Sequence, residues 1–198
     1  MIKTFLLEVG TAALFVDRKN IVYGASYDSL LTVPPRCGYI YKWPDGNSSA
    51  ETMIYSEYMT DIQSLFVSEN GDIYAYDYEM VDSDSLRWFE KKHDVIRWSS
   101  CPIVGVSVMN VTDNCYGLFI DLNSTLYCSV RDKHQVLRKS LLTNAALSPI
   151  GTIEGNQLNE PQGIFVDANF SLYVADTGNN RIQYFSAGQK KRNYQNWW

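Results

Sequence analysis

Leu14-Phe15-Val16-Asp17, Leu65-Phe66-Val67-Ser68, Leu118-Phe119-Ile120-Asp121 and Ile164-Phe165-Val166-Asp167 are four versions of one phrase. Eight residues after each Phe comes a Tyr: Tyr23, Tyr74, Tyr127 and Tyr173. Val22, Ile73, Leu126 or Leu172 stands just before it. The steps from Phe to Phe are 51, 53 and 46 residues, near the period of propeller blades and far from that of leucine-rich or helical solenoids. The fold class expected is therefore all-β.

Working outward, each phrase reads as a hairpin. An apolar run ends at Asp or Ser, crosses polar turn residues such as Arg18-Lys19-Asn20 or Glu69-Asn70-Gly71, and returns as a second apolar run ending in Tyr. A three-residue loop places Phe119 opposite Tyr127, and likewise in the other copies. A third apolar run follows in Ile40-Tyr41-Lys42-Trp43, Val95-Ile96-Arg97-Trp98, Val136-Leu137-Arg138-Lys139 and Ile182-Gln183-Tyr184-Phe185. Three copies add a fourth, around Thr52 to Tyr55, Ile103 to Val106 and Leu147 to Ile153, whereas the last copy has no clear fourth run. Four strands per unit make a propeller blade, with blades at about 11–56, 61–108, 115–153 and 161–187 and a tail at 188–198.

The last unit carries a family signature. Leu158-Asn159-Glu160-Pro161-Gln162-Gly163-Ile164-Phe165-Val166-Asp167, then Leu172-Tyr173-Val174-Ala175-Asp176-Thr177-Gly178-Asn179-Asn180-Arg181-Ile182-Gln183, closely resembles the NHL repeat. The third unit is similar to a diverged copy, and the first two keep the hairpin core. The resemblance implies a β-propeller of NHL type, usually six-bladed, as found in tripartite-motif regulators, bacterial receptor kinases and invertebrate extracellular proteins. A six-bladed ring needs roughly 270 residues at about 45 per blade, so four blade-like four-stranded repeats are expected to be a partial arc of such a ring. Open blade edges would then allow self-association. The signature's physics is structural. Gly163 is expected to permit a close approach at the innermost strand, and Asp176 to accept hydrogen bonds from the turn after it, with Arg181 returning toward it.

Charge and motifs narrow the function classes. The net charge of −5 and the scatter of Lys and Arg argue against a nucleic-acid partner. The one basic cluster, Lys190-Lys191-Arg192, lies in the tail with Tyr194, Trp197 and Trp198. No apolar run is long enough to span a bilayer. Glu69, Asp72, Asp77, Glu79, Asp82 and Asp84 crowd the second unit and read as a solvated loop. No Walker loop, GxSxG or HExxH occurs. Related propellers include a zinc-dependent amidating lyase and gluconolactonase-like hydrolases that hold a divalent cation. With two histidines in the chain the lyase's histidine set cannot be assembled. Asp17, Asp121 and Asp167 occupy equivalent positions and give the hydrolase reading its oxygen ligands, but Asp at a strand end entering a turn is first of all a backbone cap. No catalytic residue, metal ligand or cofactor is expected.

Cysteines and sequons bear on the compartment. Cys37, Cys101, Cys115 and Cys128 have no zinc spacing. Cys115 and Cys128 fall on the two inner strands of one blade, where a disulfide would staple the hairpin. The regular ladder sets Cys115 opposite Arg131, so a bridge requires Cys115 to lie just outside it; buried free thiols are the alternative. Asn47, Asn110, Asn123 and Asn169 each begin an N-glycosylation sequon, and the last two occupy equivalent hairpin turns. Asn, Ser and Thr favour turns in any case. The start of the chain carries no evident secretory signal, and the chain is read as a fragment.

The expected function is a non-catalytic scaffold, extracellular or secreted, that binds a protein or glycan. The alternatives are a divalent-cation-dependent lactonase or esterase and the targeting propeller of a ubiquitin ligase.

Overall fold

The computed structural model describes residues 11–27, 38–44, 49–56, 62–83, 88–99, 105–111, 113–151, 157–187 and 193–194. Cys37, Asn47, Asp84, Cys101, Lys190 to Arg192, Trp197 and Trp198 lie outside them. The described residues form four four-stranded antiparallel sheets, each a simple meander in chain order. The first holds β1 (Thr11–Val16), β2 (Val22–Tyr27), β3 (Gly38–Trp43) and β4 (Glu51–Ser56). The second holds β5 (Leu65–Val67), β6 (Ile73–Ser83), β7 (Trp88–Trp98) and β8 (Gly105–Asn110). The third holds β9 (Cys115–Ile120), β10 (Thr125–Val130), β11 (Gln135–Ser140) and β12 (Ser148–Ile150). The fourth holds β13 (Pro161–Val166), β14 (Leu172–Asp176), β15 (Arg181–Phe185) and β16 (Asn193–Tyr194). The chain divides into two compact units, Met1–Val111 and Thr112–Trp198, each with two of these sheets.

The repeated phrase fixes the register. Phe15 faces Tyr23, Phe66 faces Tyr74, Phe119 faces Tyr127 and Phe165 faces Tyr173. Each inner hairpin turns through the same loop, in which the residue three after the strand-ending Asp or Ser returns its N–H to that residue's carbonyl, at 2.9–3.0 Å. Those residues are Asn20, Gly71, Ser124 and Phe170, all with left-handed φ of 59°, 87°, 56° and 61°. This is the three-residue hairpin, whose last loop residue must be left-handed to match the strands' twist. Only the second sheet meets that demand with glycine.

Side chains alternate between faces along each strand, and one face of each sheet is buried against the other sheet of its unit. In the first unit, Tyr23, Ala25, Ile40 and Ile54 pack with Ile62, Leu65, Val67, Ile73, Ala75 and Trp98. In the second, Tyr127 and Val136 pack with Leu158, Val166, Leu172 and Val174. The repeated phenylalanines meet from sheet to sheet within each unit, Phe15 with Phe66 at 5.0 Å between ring centroids and Phe119 with Phe165 at 5.3 Å.

Two expectations change. Part of the acidic stretch of the second unit is a long hairpin and not a loop: Asp77, Glu79 and Asp82 lie on β6, in register with Asp94, Lys92 and Phe89 of β7, while Glu69 stays in the exposed turn after β5. Backbone pairing needs no apolar side chains, which is why composition misled here. The fourth sheet also has an outer strand, with Gln183 paired to Tyr194 and Tyr184 to Asn193.

Candidate functional site

The strand ends carry the polar chemistry. At the inner hairpin turns one device recurs. Asp17 Oδ1 accepts the N–H groups of Lys19 and Ile21 at 2.9 and 2.8 Å. Asp121 does the same for Asn123 and Thr125, and Asp167 for Asn169 and Ser171. The second oxygen of each takes the phenol of the repeated tyrosine, Tyr23 at 3.4 Å, Tyr127 at 3.1 Å and Tyr173 at 3.3 Å. Ser68, where the others have Asp, instead donates its hydroxyl to the Asp72 carbonyl at 3.0 Å. Burial first and the neighbouring Asp121 charge second push the Tyr127 phenol up to about 12; Tyr23 and Tyr173 shift the same way for the same reasons. The three equivalent aspartates therefore use both oxygens on their own turns. Among the described residues, no group of three His, Cys, Asp or Glu side chains is placed to hold a metal ion.

At the opposite end of the second unit's strands, Asp176 is fully buried. Its Oδ1 accepts Asn159 N–H at 2.6 Å, while Oδ2 accepts Asn179 Nδ2 at 2.9 Å and Arg181 Nε at 2.6 Å. Asn179 Nδ2 and Arg181 Nη2 also reach the Gln157 carbonyl, at 3.1 and 3.4 Å. This carboxylate thus ties the segment entering β13 to the turn leaving β14. In the third sheet the position equivalent to Asp176 is Val130, and the same corner is closed by a Cys115–Cys128 disulfide with 5.5 Å between Cα atoms. The bridge does not need Cys115 outside the ladder. A bulge between Ser129 and Val130 sets Cys115 opposite Val130, not Arg131, within β9.

The expected close approach of glycine to the neighbouring strand occurs at Gly117, not at its repeat equivalent Gly163. A Cβ on Gly117 would collide with the Gln162 carbonyl, to which Ser129 Oγ also donates a hydrogen bond. A Cβ on Gly163 would meet only Ala175 Cβ, at 3.9 Å.

Beside this corner lies a charged surface. Arg131 donates through Nη2 and Nε to Glu160 Oε2, at 2.7 and 3.2 Å, and its guanidinium lies 5.5 Å from the centre of the Tyr116 ring. The hydrogen bond from Arg131, then its charge, holds the Glu160 carboxyl below its ordinary value. Glu160 N–H donates to His134 Nδ1 at 3.1 Å, and Lys133 Nζ stands 4.0 Å from Asp113 Oδ2. Sequence reading missed this group. Its signal was the charged run Arg131-Asp132-Lys133-His134 in the place of Thr177-Gly178-Asn179-Asn180.

Asn123 and Asn169 are exposed at equivalent turn positions. Asn110 ends β8, and its amide donates to Asp94 Oδ1 at 3.1 Å. Among the described residues no helix is long and apolar enough to cross a membrane.

Four-stranded meanders repeating at blade period, each packed through its inner-strand aromatics, define a β-propeller. Within the fourth blade, residues 158–185 match the NHL repeat, a stretch that contains the Asp176 and Arg181 corner. A 64-residue stretch is 38% identical to protein brain tumor of Drosophila melanogaster, covering 32% of this chain and 6% of that protein. Among solved structures, a streptogramin B lyase aligns with a TM-score of 0.64 at 13% identity, over 92% of this chain and 54% of that one. A catalytically inactive virginiamycin B lyase from Staphylococcus aureus with quinupristin gives 0.63 at 11% identity, over 94% and 55%. A gluconolactonase from Xanthomonas campestris gives 0.63 at 15% identity, over 89% and 58%. The chain thus spans little more than half of these solved chains, and at such identities the likeness shows the fold alone.

Proposed function

We propose that the chain is a non-catalytic, extracellular binding scaffold of NHL type, meeting a protein or glycan partner on its blade-edge loops. The observation that carries this reading is the state of the repeated aspartates. Each spends both carboxylate oxygens on its own turn and tyrosine, which leaves the lactonase reading without an open ligand set among the residues that motivated it. The charged surface of Arg131, Lys133, His134 and Glu160 sits on loops held by a rigid sheet, the usual placement of binding residues.

The Cys115–Cys128 bridge supports an oxidising compartment, and the exposed Asn123 and Asn169 turns suit glycan attachment. Secretion from a eukaryotic host behind an added signal, followed by intact mass with and without reduction and glycosidase, tests the compartment. Glycan on Asn123 or Asn169, with two hydrogens gained per bridge on reduction, is expected; unmodified, free-thiol protein would sink the extracellular reading. Saturable, chelator-sensitive lactone or ester hydrolysis by the purified chain would sink the non-catalytic one.

A further inference from the structure

The third sheet leaves two leucines in water although its face is packed on the fourth sheet. Leu122, in the β9–β10 turn, is 60% exposed, and Leu142, in the β11–β12 connection, is 75% exposed. The stretch from Ser140 to Ile150 holds no charged residue. The two loops adjoin. Thr125 pairs with Ser140, and Leu141 N–H donates to the Ser124 carbonyl at 2.9 Å, so the alignment of β10 with β11 continues past the strand ends and brings Leu142 alongside Asn123. The other inner turns carry Arg18, Glu69 and Ala168 where this one carries Leu122.

Between the two leucines stands the first residue of a sequon, Asn123-Ser124-Thr125. Asn123 is exposed. Its backbone N–H is held by Asp121 Oδ1 at 2.9 Å, while its side-chain amide makes no hydrogen bond among the described residues. Asn110 differs, because its amide is engaged by Asp94. Asn169 occupies the equivalent turn but follows Ala168, and the chain leaving β15 there reads Ser186-Ala187, with no leucine on either side.

We infer that an N-linked glycan on Asn123 lies over Leu122 and Leu142 and is the cover of this apolar patch. The inference rests on the extracellular reading of the chain. Attachment joins Asn123 Nδ2 to the anomeric carbon of the first N-acetylglucosamine; that carbon's bond to a lipid-linked diphosphate donor breaks, the lipid diphosphate leaves and the amide loses one proton. The point of attachment then sets the first sugars between the two leucines. A pyranose ring can lay its C–H face on aliphatic side chains and turn its hydroxyls to solvent, so one group both removes apolar surface from water and replaces it with polar surface. The glycan on Asn169 has no such patch to cover and adds bulk alone.

The full chain secreted from a eukaryotic host, as wild type, Asn123→Gln and Asn169→Gln, is compared by intact mass, by the fluorescence of ANS, which reports exposed apolar surface, and by solubility limit. Asn123→Gln is expected to raise the ANS signal and lower the solubility limit, whereas Asn169→Gln loses glycan mass and leaves both readings at the wild-type level. Glycosidase treatment of folded Asn169→Gln, which strips the Asn123 glycan without passing through folding, is expected to reproduce the rise. Adding Leu122→Ser and Leu142→Ser to Asn123→Gln is expected to return both readings to wild type. Secreted wild type without glycan at Asn123 would remove the inference together with the extracellular reading of this turn. A glycan at Asn123 whose loss changes neither reading, equal responses to loss at Asn123 and Asn169, or a rise that persists after the serine substitutions would each overturn the inference and leave that reading standing.

Discussion

Asp176 and Arg181 face each other across the β14–β15 turn with Oδ2 and Nε 2.6 Å apart, the carboxylate fully buried and the arginine side chain 20% exposed. Because the Asp176 carboxylate also accepts the Asn159 and Asn179 donors, removing it strands several groups at once. Breaking a buried, hydrogen-bonded ion pair on one side typically costs about 3–5 kcal/mol. Asp176→Ala is expected to lose stability in that range by urea denaturation. Asp176→Asn keeps the shape without the charge and should lose less.

The Cys115–Cys128 bridge closes the equivalent corner across a sequence separation of 13 residues. The loop-entropy model gives about 3 kcal/mol for a ring of this size. The Cys115→Ser, Cys128→Ser double variant is expected to lose close to that amount, and wild-type protein unfolded in reductant should match it.

Gly117 and Gly163 are repeat equivalents with opposite surroundings. Gly117→Ala forces a Cβ against the Gln162 carbonyl, and overpacking of this kind costs about 1–3 kcal/mol. Gly163→Ala meets only Ala175 Cβ, at the ordinary contact distance of 3.9 Å, and is expected to change stability by no more than an ordinary surface substitution, within about 0.5 kcal/mol. Equal effects would mean that the inner strands do not approach as described.

Tyr127 sets an alkaline limit. Its folded pKa, about 12, lies above the unfolded value of about 10, so the folded state holds the proton more tightly. The associated stability is fully present below about pH 10 and is lost as pH rises toward 12, because the unfolded chain ionises first. Tyr127→Phe is expected to flatten this part of the stability profile, followed by circular dichroism in urea at each pH, while lowering stability near neutrality through the lost hydrogen bond to Asp121.

The hairpin register was legible because a three-residue loop fixes which residues face each other, and the Phe-to-Tyr spacing preserves that loop in all four copies. The fourth blade's Asp176 and Arg181 were legible because their partners lie within the same motif. Two facts about the third blade were not. The bulge that brings Cys115 opposite Val130 leaves no mark in the local sequence pattern. The role of Gly117 depends on a carbonyl 45 residues away in sequence, at Gln162. The Arg131 and Glu160 pair was hidden for a similar reason, since its halves belong to different blades.

The turn device has a consequence for how the chain folds. Its hydrogen bonds reach no further than the six residues from Asp17 to Tyr23, from Asp121 to Tyr127 or from Asp167 to Tyr173. Closing so short a loop costs little chain entropy, and contacts of low sequence separation form early. Each of these three hairpins therefore carries local contacts that can form without any long-range pairing. A ribosome releasing this chain is expected to deliver three hairpins whose turn contacts are complete within a few residues.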